Sequence, residues 1–359
     1  MPSIRNLAPY ALAFVPLVLQ PVAAFAVAAG VTAWMAAAFP LLFLFVIVPL
    51  ADGLLGRDRH NPTPDEAMTL EGSYAFRLLT WLIVPAWLLH LVWSLGYAAT
   101  QDLPAPAGVL WVVSLGVIGG VTAITTAHEL IHKAGRFEPL LGGLLLSSVN
   151  YAGFKIEHIR GHHVHVSTPL DTSSARLGQS VYDFLPRALI GNPARAWQLE
   201  VHRLRERGHS AWHWRNELLR WYGLSLLAAL LLGMAWGTAA VLMFVLQGLV
   251  AATTLEIINY VEHYGLERRL LPDGRYERVT HLHSWNAAQW LTNSMLFQLQ
   301  RHADHHARPR RRYQTLEHHE DSPQLPAGYA GMFLLALVPP LWRRTVDPLV
   351  HAWRRNVVS

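Results

Sequence analysis

Four tight groups of histidine carry the chemistry open to this sequence. His128-Glu-Leu-Ile-His132 sets two imidazoles at i and i+4 on one helix face, where both can meet a single metal ion. Glu157-His158-Ile-Arg-Gly-His162-His163 adds three more. Asn259-Tyr-Val-Glu-His263-Tyr-Gly adds one, and Gln300-Arg-His302-Ala-Asp-His305-His306 another three. Histidine is the commonest protein metal ligand. These nine imidazoles exceed what one ion can take, so the pattern implies two metals. Neutral imidazole suits iron, zinc, copper and nickel. Zinc has no redox chemistry, whereas a metal pair in a water-poor place beneath apolar helices suits oxygen activation on an apolar substrate, so iron is expected. The first group also fits the H-E-x-x-H pattern of zinc proteases, with Glu129 as general base. Such a site uses three protein ligands and leaves most of the other clustered histidines surplus.

The elements that must position these groups are apolar. Of 359 residues 52% are hydrophobic and only 15% charged, where a soluble protein is nearer a quarter. Crossing the hydrocarbon takes about 20 mostly apolar residues, and six stretches qualify: 8–29, 32–51, 76–98, 108–127, 218–234 and 238–260. The first and last pairs read as tight hairpins. The first stretch is read as a retained helix and not a signal peptide, because the segment before it carries only Arg5 and no small-residue cleavage site follows. All 29 Lys and Arg lie in the N-terminal tip, in 52–77, in 128–220 or after Tyr260, so the positive-inside rule places those segments and both termini in the cytoplasm. The expected fold is therefore all-α and membrane-embedded: one domain of six transmembrane helices with a histidine-rich cytoplasmic cap formed by 128–217 and 261–359. Two weaker apolar stretches remain. Residues 139–152 are too short to span and read as re-entrant or packed on the bundle. Residues 329–342 read as an interfacial helix ending at Arg343 and Arg344.

Topology also tests the histidines. The fourth and sixth helices both run outward to inward, so His132 and His263 emerge at one membrane surface, and the other two groups belong to cytoplasmic segments. All nine can converge in one layer beneath the bilayer. The remaining histidines have blander readings. His90 is a packing residue, and His60, His202, His209, His213, His318, His319 and His351 are solvated or structural. His165, His281 and His283 are either ligand-supporting or simply hydrogen-bonded. The net charge of +5 follows from topology and lipid contact, so nucleic-acid binding is not invoked. With no Cys, the chain excludes disulfides, thiolate-ligated haem or iron–sulfur centres and any Cys nucleophile.

The histidine groups and their flanks resemble the integral-membrane alkane 1-monooxygenase (alkane ω-hydroxylase) family, within the wider membrane desaturase–hydroxylase group. The resemblance runs on through Ser167-Thr-Pro-Leu-Asp171, His283-Ser-Trp-Asn286, Arg312-Tyr-Gln-Thr-Leu316 and Leu325-Pro-Ala-Gly-Tyr329. It covers the chain from the second helix onward. The elements around His263 and His302 are specific to this family, whereas H-x3-H and H-x2-H-H are shared with desaturases. The resemblance implies a di-iron enzyme in the bacterial inner membrane. Two irons held by the nine histidines would reduce O2 and hydroxylate the terminal methyl of a medium-chain n-alkane. It also implies electrons from NAD(P)H through a reductase and rubredoxin, and the lack of Cys makes that donor a separate protein. Related enzymes hydroxylate methyl groups of alkylbenzenes with the same histidine boxes and a ferredoxin-type reductase. That is the runner-up, ahead of a membrane desaturase and an intramembrane zinc protease.

Supporting roles follow from chemistry. Ligating imidazoles usually give their outer N–H to a carboxylate or carbonyl, which singles out Glu129, Glu157, Asp171, Glu262 and Asp304, with His283 a further candidate. Glu256, seven residues before His263 and inside the membrane, is either a functional carboxylate or a hydrogen-bond partner of a neighbouring helix. Gly116, Gly120 and Ile124 lie above His128 at four-residue spacing. They either leave room for a substrate channel or simply let helices pack closely. Arg308, Arg310, Arg311 and Arg312, beside the last histidines, offer a docking patch for an acidic electron donor or for anionic lipid.

Overall fold

The structure is a computed structural model describing residues 7–358, so Arg5 lies outside the described residues. Among these the chain is helical, with only three isolated β-bridges. Four long apolar helices come first: α1 (Ala8–Ala28), α2 (Ala33–Leu55), α3 (Tyr74–Thr100) and α4 (Ala105–Ile131). Then follow α5 (Phe137–Ser148), the surface helix α6 (Val181–Arg205) and the 47-residue α7 (Glu217–His263). Five of these, α1 to α4 and α7, are long and apolar enough to cross a membrane. The two last stretches expected from sequence fall within α7. It breaks at Gly237 (φ 79°, ψ −172°), in the left-handed region that glycine tolerates. A Cβ on Gly233 would stand 2.9 Å from Val241. Residues eight apart on a straight helix lie about 12 Å apart, so the chain turns back here.

The outer faces are what a bilayer selects. Phe25, Leu54, Leu89 and Met234 are each more than 70% exposed on these helices, an arrangement stable against lipid tails and costly against water. The protein is therefore a membrane protein. Between the helices a polar knot holds the bundle: Gln20 donates to Ser114 and to the Trp111 carbonyl (both 2.9 Å), while Ser94 donates to Gln20 (2.7 Å). Close approach of α4 and α7 depends on small residues, since a Cβ on Gly116 would lie 2.5 Å from Val250 and 2.6 Å from the Gln247 carbonyl. The stretch after α4 forms α5 and packs on the bundle, with Gly142 against Ile131.

The C-terminal part differs from the expected interfacial helix. The short α8 (His302–Ala307) precedes α9 (Tyr329–Ala336) and α10 (Pro339–Val358). The chain does not stop at Arg343 and Arg344. Pro339 and Pro340 begin a new helix instead of interrupting an old one, as their fixed φ and missing N–H allow in a first turn. Past α2 the backbone is pinned to this part, Asp58 N–H donating to Ala288 O (2.7 Å) and Trp290 N–H to Gly56 O (3.0 Å). This ties the end of a membrane helix to the segment that leads into α8.

Candidate metal centre

Three departures from regular helix aim the histidines. In α4 the turn Gly119–Ile124 is π-helical, which widens the helix one turn above His128. A second π-turn, His158–His162, follows Phe154–Glu157, and the His163 N–H closes onto the His158 carbonyl. The i+5 bond brings the His163 ring edge-on to His158, Nε2 to Nε2, while the His162 Nε2 turns to His306. The third is Phe297 and Gln298, both with left-handed φ (49° and 58°), a conformation that costs of order 1–3 kcal/mol each outside glycine. Gln298 is held there by Asn293 O (2.8 Å) and Tyr10 OH (2.9 Å), and the bend sets the start of α8.

Six residues cannot hold a helix alone, so α8 is fixed from outside. Buried Arg301 donates to the carbonyls of Leu316 (2.6 Å) and His60 (3.0 Å). Asp304 accepts from His319 (2.8 Å) and Glu317 N–H (3.1 Å) and pairs with Arg308 and Arg311.

The nine histidines fall into two groups, each with its ring nitrogens within 4.8 Å of one another: His128, His132, His158, His163 and His305, and His162, His263, His302 and His306. Nε2 faces Nε2 at 3.0 Å for His132–His158, 3.1 Å for His158–His163 and 3.2 Å for His163–His305. In the second group the spacings are 3.2 Å for His162–His306, 2.9 Å for His302–His306 and 3.2 Å for His263–His302. Nitrogens held about 2.1 Å from one metal and at right angles stand about 3.0 Å apart. A neutral imidazole has one donor and one acceptor nitrogen, so a ring of inward Nε2 atoms cannot satisfy itself, and His128 Nε2 is buried without a partner. Burial, then the neighbouring rings, hold His158, His163, His302, His305 and His306 far below the ordinary imidazole range. They are therefore neutral, as ligation requires. The residues present thus fit a non-haem metal site with all-nitrogen donors.

The supporting residues separate. Asp171 accepts from His162 Nδ1 (2.9 Å), Ser174 Oγ (2.6 Å) and Ser173 N–H (3.1 Å). Burial pushes its carboxyl up, but the His162 ring outweighs this and holds it below the ordinary range. Glu262 Oε2 lies 3.3 Å from the inward Nε2 of His302, so it stands beside the metal position and not behind the ring. The other expected partners are engaged elsewhere. Glu129 pairs with Lys133 (2.9 Å) and accepts from Tyr313 N–H, and Asp304 braces α8. Glu157, pushed up to about 8 by burial and by Asp171, meets only Arg195 at 3.8 Å. Glu256 accepts from Tyr151 (2.5 Å), Asn192 (2.9 Å) and Asn259 (3.1 Å). His283 faces Glu277 and the Thr280 N–H, whereas His263 Nδ1 meets the neighbouring Ser284 hydroxyl at 3.4 Å. The arginine patch is mostly internal. Arg308 and Arg311 pair with Asp304 and Glu317, and Arg312 donates two parallel hydrogen bonds to the Glu138 carboxylate (2.9 Å each), leaving Arg310 exposed.

Beside the two histidine groups lies an apolar cavity that is partly open. Leu44, Phe45, Gly120, Leu255, Leu299 and Phe333 are among its walls. It shares Thr125, Leu255 and Leu299 with a smaller chamber lined by Ile124, His128, His158, Glu262 and His302. Gly120 lines the cavity and Ile124 the chamber, while Gly116 packs against Val250. Sequence reasoning missed the walls given by 292–299 and α9, although Tyr329 was among the residues carrying the family resemblance.

Fold and site together define an integral membrane protein with a non-haem histidine metal site beside an apolar cavity. The family model described as fatty acid desaturase matches residues 103–336. Alkane 1-monooxygenase 2 of Pseudomonas aeruginosa is 51% identical over 314 residues, covering 86% of this chain and 83% of the relative. Alkane 1-monooxygenase 2 of Alcanivorax borkumensis is 49% identical over 322 residues, covering 88% and 83%. The xylene/toluene monooxygenase hydroxylase component of Pseudomonas putida is 29% identical over 249 residues, covering 69% and 66%. The chain belongs to the alkane 1-monooxygenases of the fatty acid desaturase family, and is a monooxygenase.

Proposed function

We propose that this protein hydroxylates the terminal methyl group of medium-chain n-alkanes, consuming O2, two electrons and two protons and releasing a primary alcohol and water. The observation that carries this reading is the continuity of the apolar cavity with the chamber walled by His128 and His158 of one group and His302 of the other. A saturated chain offers no polar handle, so shape alone must bring its end to the metals. Two irons bound by the nine histidines would supply the reductive activation of O2. The residues do the rest. The Nε2 atoms of His128, His132, His158, His163 and His305 would hold one metal, and those of His162, His263, His302 and His306 the other. Asp171 fixes the His162 ring through Nδ1–H, and Glu262 adds negative charge beside His302. Leu255 and Leu299 form the neck that keeps water from the chamber and steers the chain end.

On this reading each half of α7 is one crossing, six in all, and the histidine groups lie on the cytoplasmic side of the bacterial inner membrane; the distribution of basic segments supports that orientation. These 359 residues hold no thiolate. On this reading electrons reach the site from NAD(P)H through a reductase and rubredoxin, and of the four arginines beside the last histidines Arg310 is the exposed one available to an acidic donor. Membranes containing the protein, supplied with rubredoxin, reductase and NADH, should convert octane to 1-octanol, with about two irons per chain by metal analysis. Xylene oxidised faster than octane would move the assignment to alkylbenzenes. One zinc and no iron would move it to a protease.

A further inference from the structure

Two spaces stand back to back in the protein, one almost wholly apolar and the other with polar groups set into its wall. The substrate cavity is walled mainly by aliphatic and aromatic side chains, but Thr292 and Tyr329 interrupt them. The buried Tyr329 hydroxyl makes no well-aligned hydrogen bond and faces the Glu262 carboxylate. Behind Thr292 lies a second space of about 640 Å³ including its open mouth, between the end of α2 and the start of α9. Its lining sets the polar groups of Asp52, Arg57 and Gln289 among glycines and the apolar Pro49, Pro326 and Ala327. The partition between the two is one residue thick. Thr292 gives its N–H (3.0 Å) and its hydroxyl (2.7 Å) to Asp52, and Gln300 joins Thr292 (2.7 Å) to the Tyr329 N–H (2.7 Å). A Cβ on Gly328 would lie 2.5 Å from Asp52 Oδ2 and 2.9 Å from Thr292 Oγ1, so glycine is what lets the partition be this thin. Gln289, only 6% exposed, keeps a buried carbonyl oxygen without any donor.

Hydroxylation changes what the cavity holds. The alkane is indifferent to an apolar wall, whereas a hydroxyl without a partner is strongly disfavoured there. Leaving by the apolar mouth would drag that hydroxyl past Phe45 and Phe333. A route of polar groups at successive positions leads the other way, towards the end of α2 where charged residues begin. We propose that the primary alcohol leaves through this polar cleft, its hydroxyl passing from Tyr329 to Thr292 and Asp52 and then to Gln289. The route rests on the terminal-hydroxylation reading and adds a one-way passage to it: apolar substrate enters through the bundle, and amphiphilic product exits beside α2.

Gly53 and Gly331 allow a test that spares the cavity. An added Cβ meets nothing within 4 Å at Gly53 and only Ala327, at 3.5 Å, at Gly331. The variants Gly53→Phe and Gly331→Phe therefore fill the cleft. The full chain in lipid nanodiscs, with its electron donor, is followed by rapid quench with octane, and dissociation of radiolabelled 1-octanol is measured separately on the resting protein. The expected result is a burst of product followed by steady turnover about fivefold slower than in the unaltered protein, with 1-octanol dissociation slowed to match. Dissociation and steady turnover equal to those of the unaltered protein in both variants would overturn the exit route. So would a burst that shrinks in step with the steady rate. Failure of the unaltered protein to make any 1-octanol counts against the hydroxylation reading instead, and dissociation of added 1-octanol still decides the cleft.

Discussion

The two histidine groups are built from the same residue type and differ in what stands around them. His128, His132, His158, His163 and His305 are surrounded by one another and by Phe154, whose ring stacks on His158 at 4.5 Å. None of these five hydrogen-bonds a carboxylate among the described residues, and His158 Nδ1 has no partner at all. His162, His263, His302 and His306 are fewer, but two carboxylates attend them: Asp171 behind His162 and Glu262 beside the inward nitrogen of His302. Carboxylates make an imidazole a stronger donor and offset positive charge. The four-ring group thus offers negative charge that would favour an oxidised metal, whereas the five-ring group offers only more nitrogen donors. Nearly identical ligand sets can be tuned apart by what lies one shell out.

The largest expected effect tests whether the groups are separate at all. His162→Ala and His163→Ala alter adjacent residues assigned to different groups. Each should cut octane turnover by more than about 100-fold, beyond the usual cost of losing a supporting residue. Each should also leave about one iron per chain by metal analysis. Loss of both irons from either variant would merge the two groups into one cooperative site.

Asp171→Asn comes next and touches only the four-ring group. It keeps the shape but turns an acceptor-only group towards His162 Nδ1 into one that can present N–H. A loss of about 10–100-fold in metal affinity is expected, confined to one of the two irons in a chelator titration. Equal weakening of both would remove the distinction drawn above.

How much of this was written in the sequence depends on geometry at single residues. The i, i+4 spacing of His128 and His132, and the run of apolar stretches, put nine imidazoles at one surface. The division into five and four could not be read, because it separates His162 from His163 and His305 from His306. Neighbours on a helix point about 100° apart, and the π-turn at His158–His162 adds a residue no spacing rule anticipates. Two expected supporting carboxylates were misplaced for a legible reason. Glu129 and Asp304 each have a cation four residues on, Lys133 and Arg308, and helical i, i+4 pairing claims them. Asp171 and Glu262 have no such neighbour. The arginine patch shows the same limit, since Arg312 meets Glu138, which lies 174 residues away in sequence.

Leu255→Phe addresses the neck that both groups share. Leu255 lines the cavity and the chamber alike. A larger side chain should favour shorter alkanes, lowering kcat/KM for decane relative to hexane by about 10-fold, near the low end of pocket discrimination by size. Iron content should not change. A preserved ratio would place the chain end elsewhere than between the groups. Smaller still is the effect of Arg310→Glu, an exposed charge at the rim. It should raise the KM for rubredoxin by about two- to fivefold at low salt and less at high salt. No change at either salt would leave the exposed arginine without a role in electron delivery.

The smallest effect on turnover concerns what fastens the five-ring side. The turn after α8 is latched to α4 and α5: Lys133 donates to Arg311 O (2.6 Å), and Arg312 clasps Glu138, which also accepts from Trp81 (3.3 Å). Burial pushes the Glu138 carboxyl up, but the bonds from Arg312 prevail and hold it below its ordinary value. A carboxylate lowered in the folded state stabilises fully above its unfolded pKa, about 4.3, and that stabilisation drains away as pH falls through the lower folded value. Arg312→Ala should therefore cost about 2 kcal/mol at pH 7, less than a fully buried broken pair, and change turnover by less than about twofold. Its Tm deficit against the unaltered protein should shrink steadily below pH 4. A deficit equal at pH 7 and pH 3.5 would mean that Arg312 acts through packing alone, and that the five-ring side is fastened by shape where the four-ring side is fastened by charge.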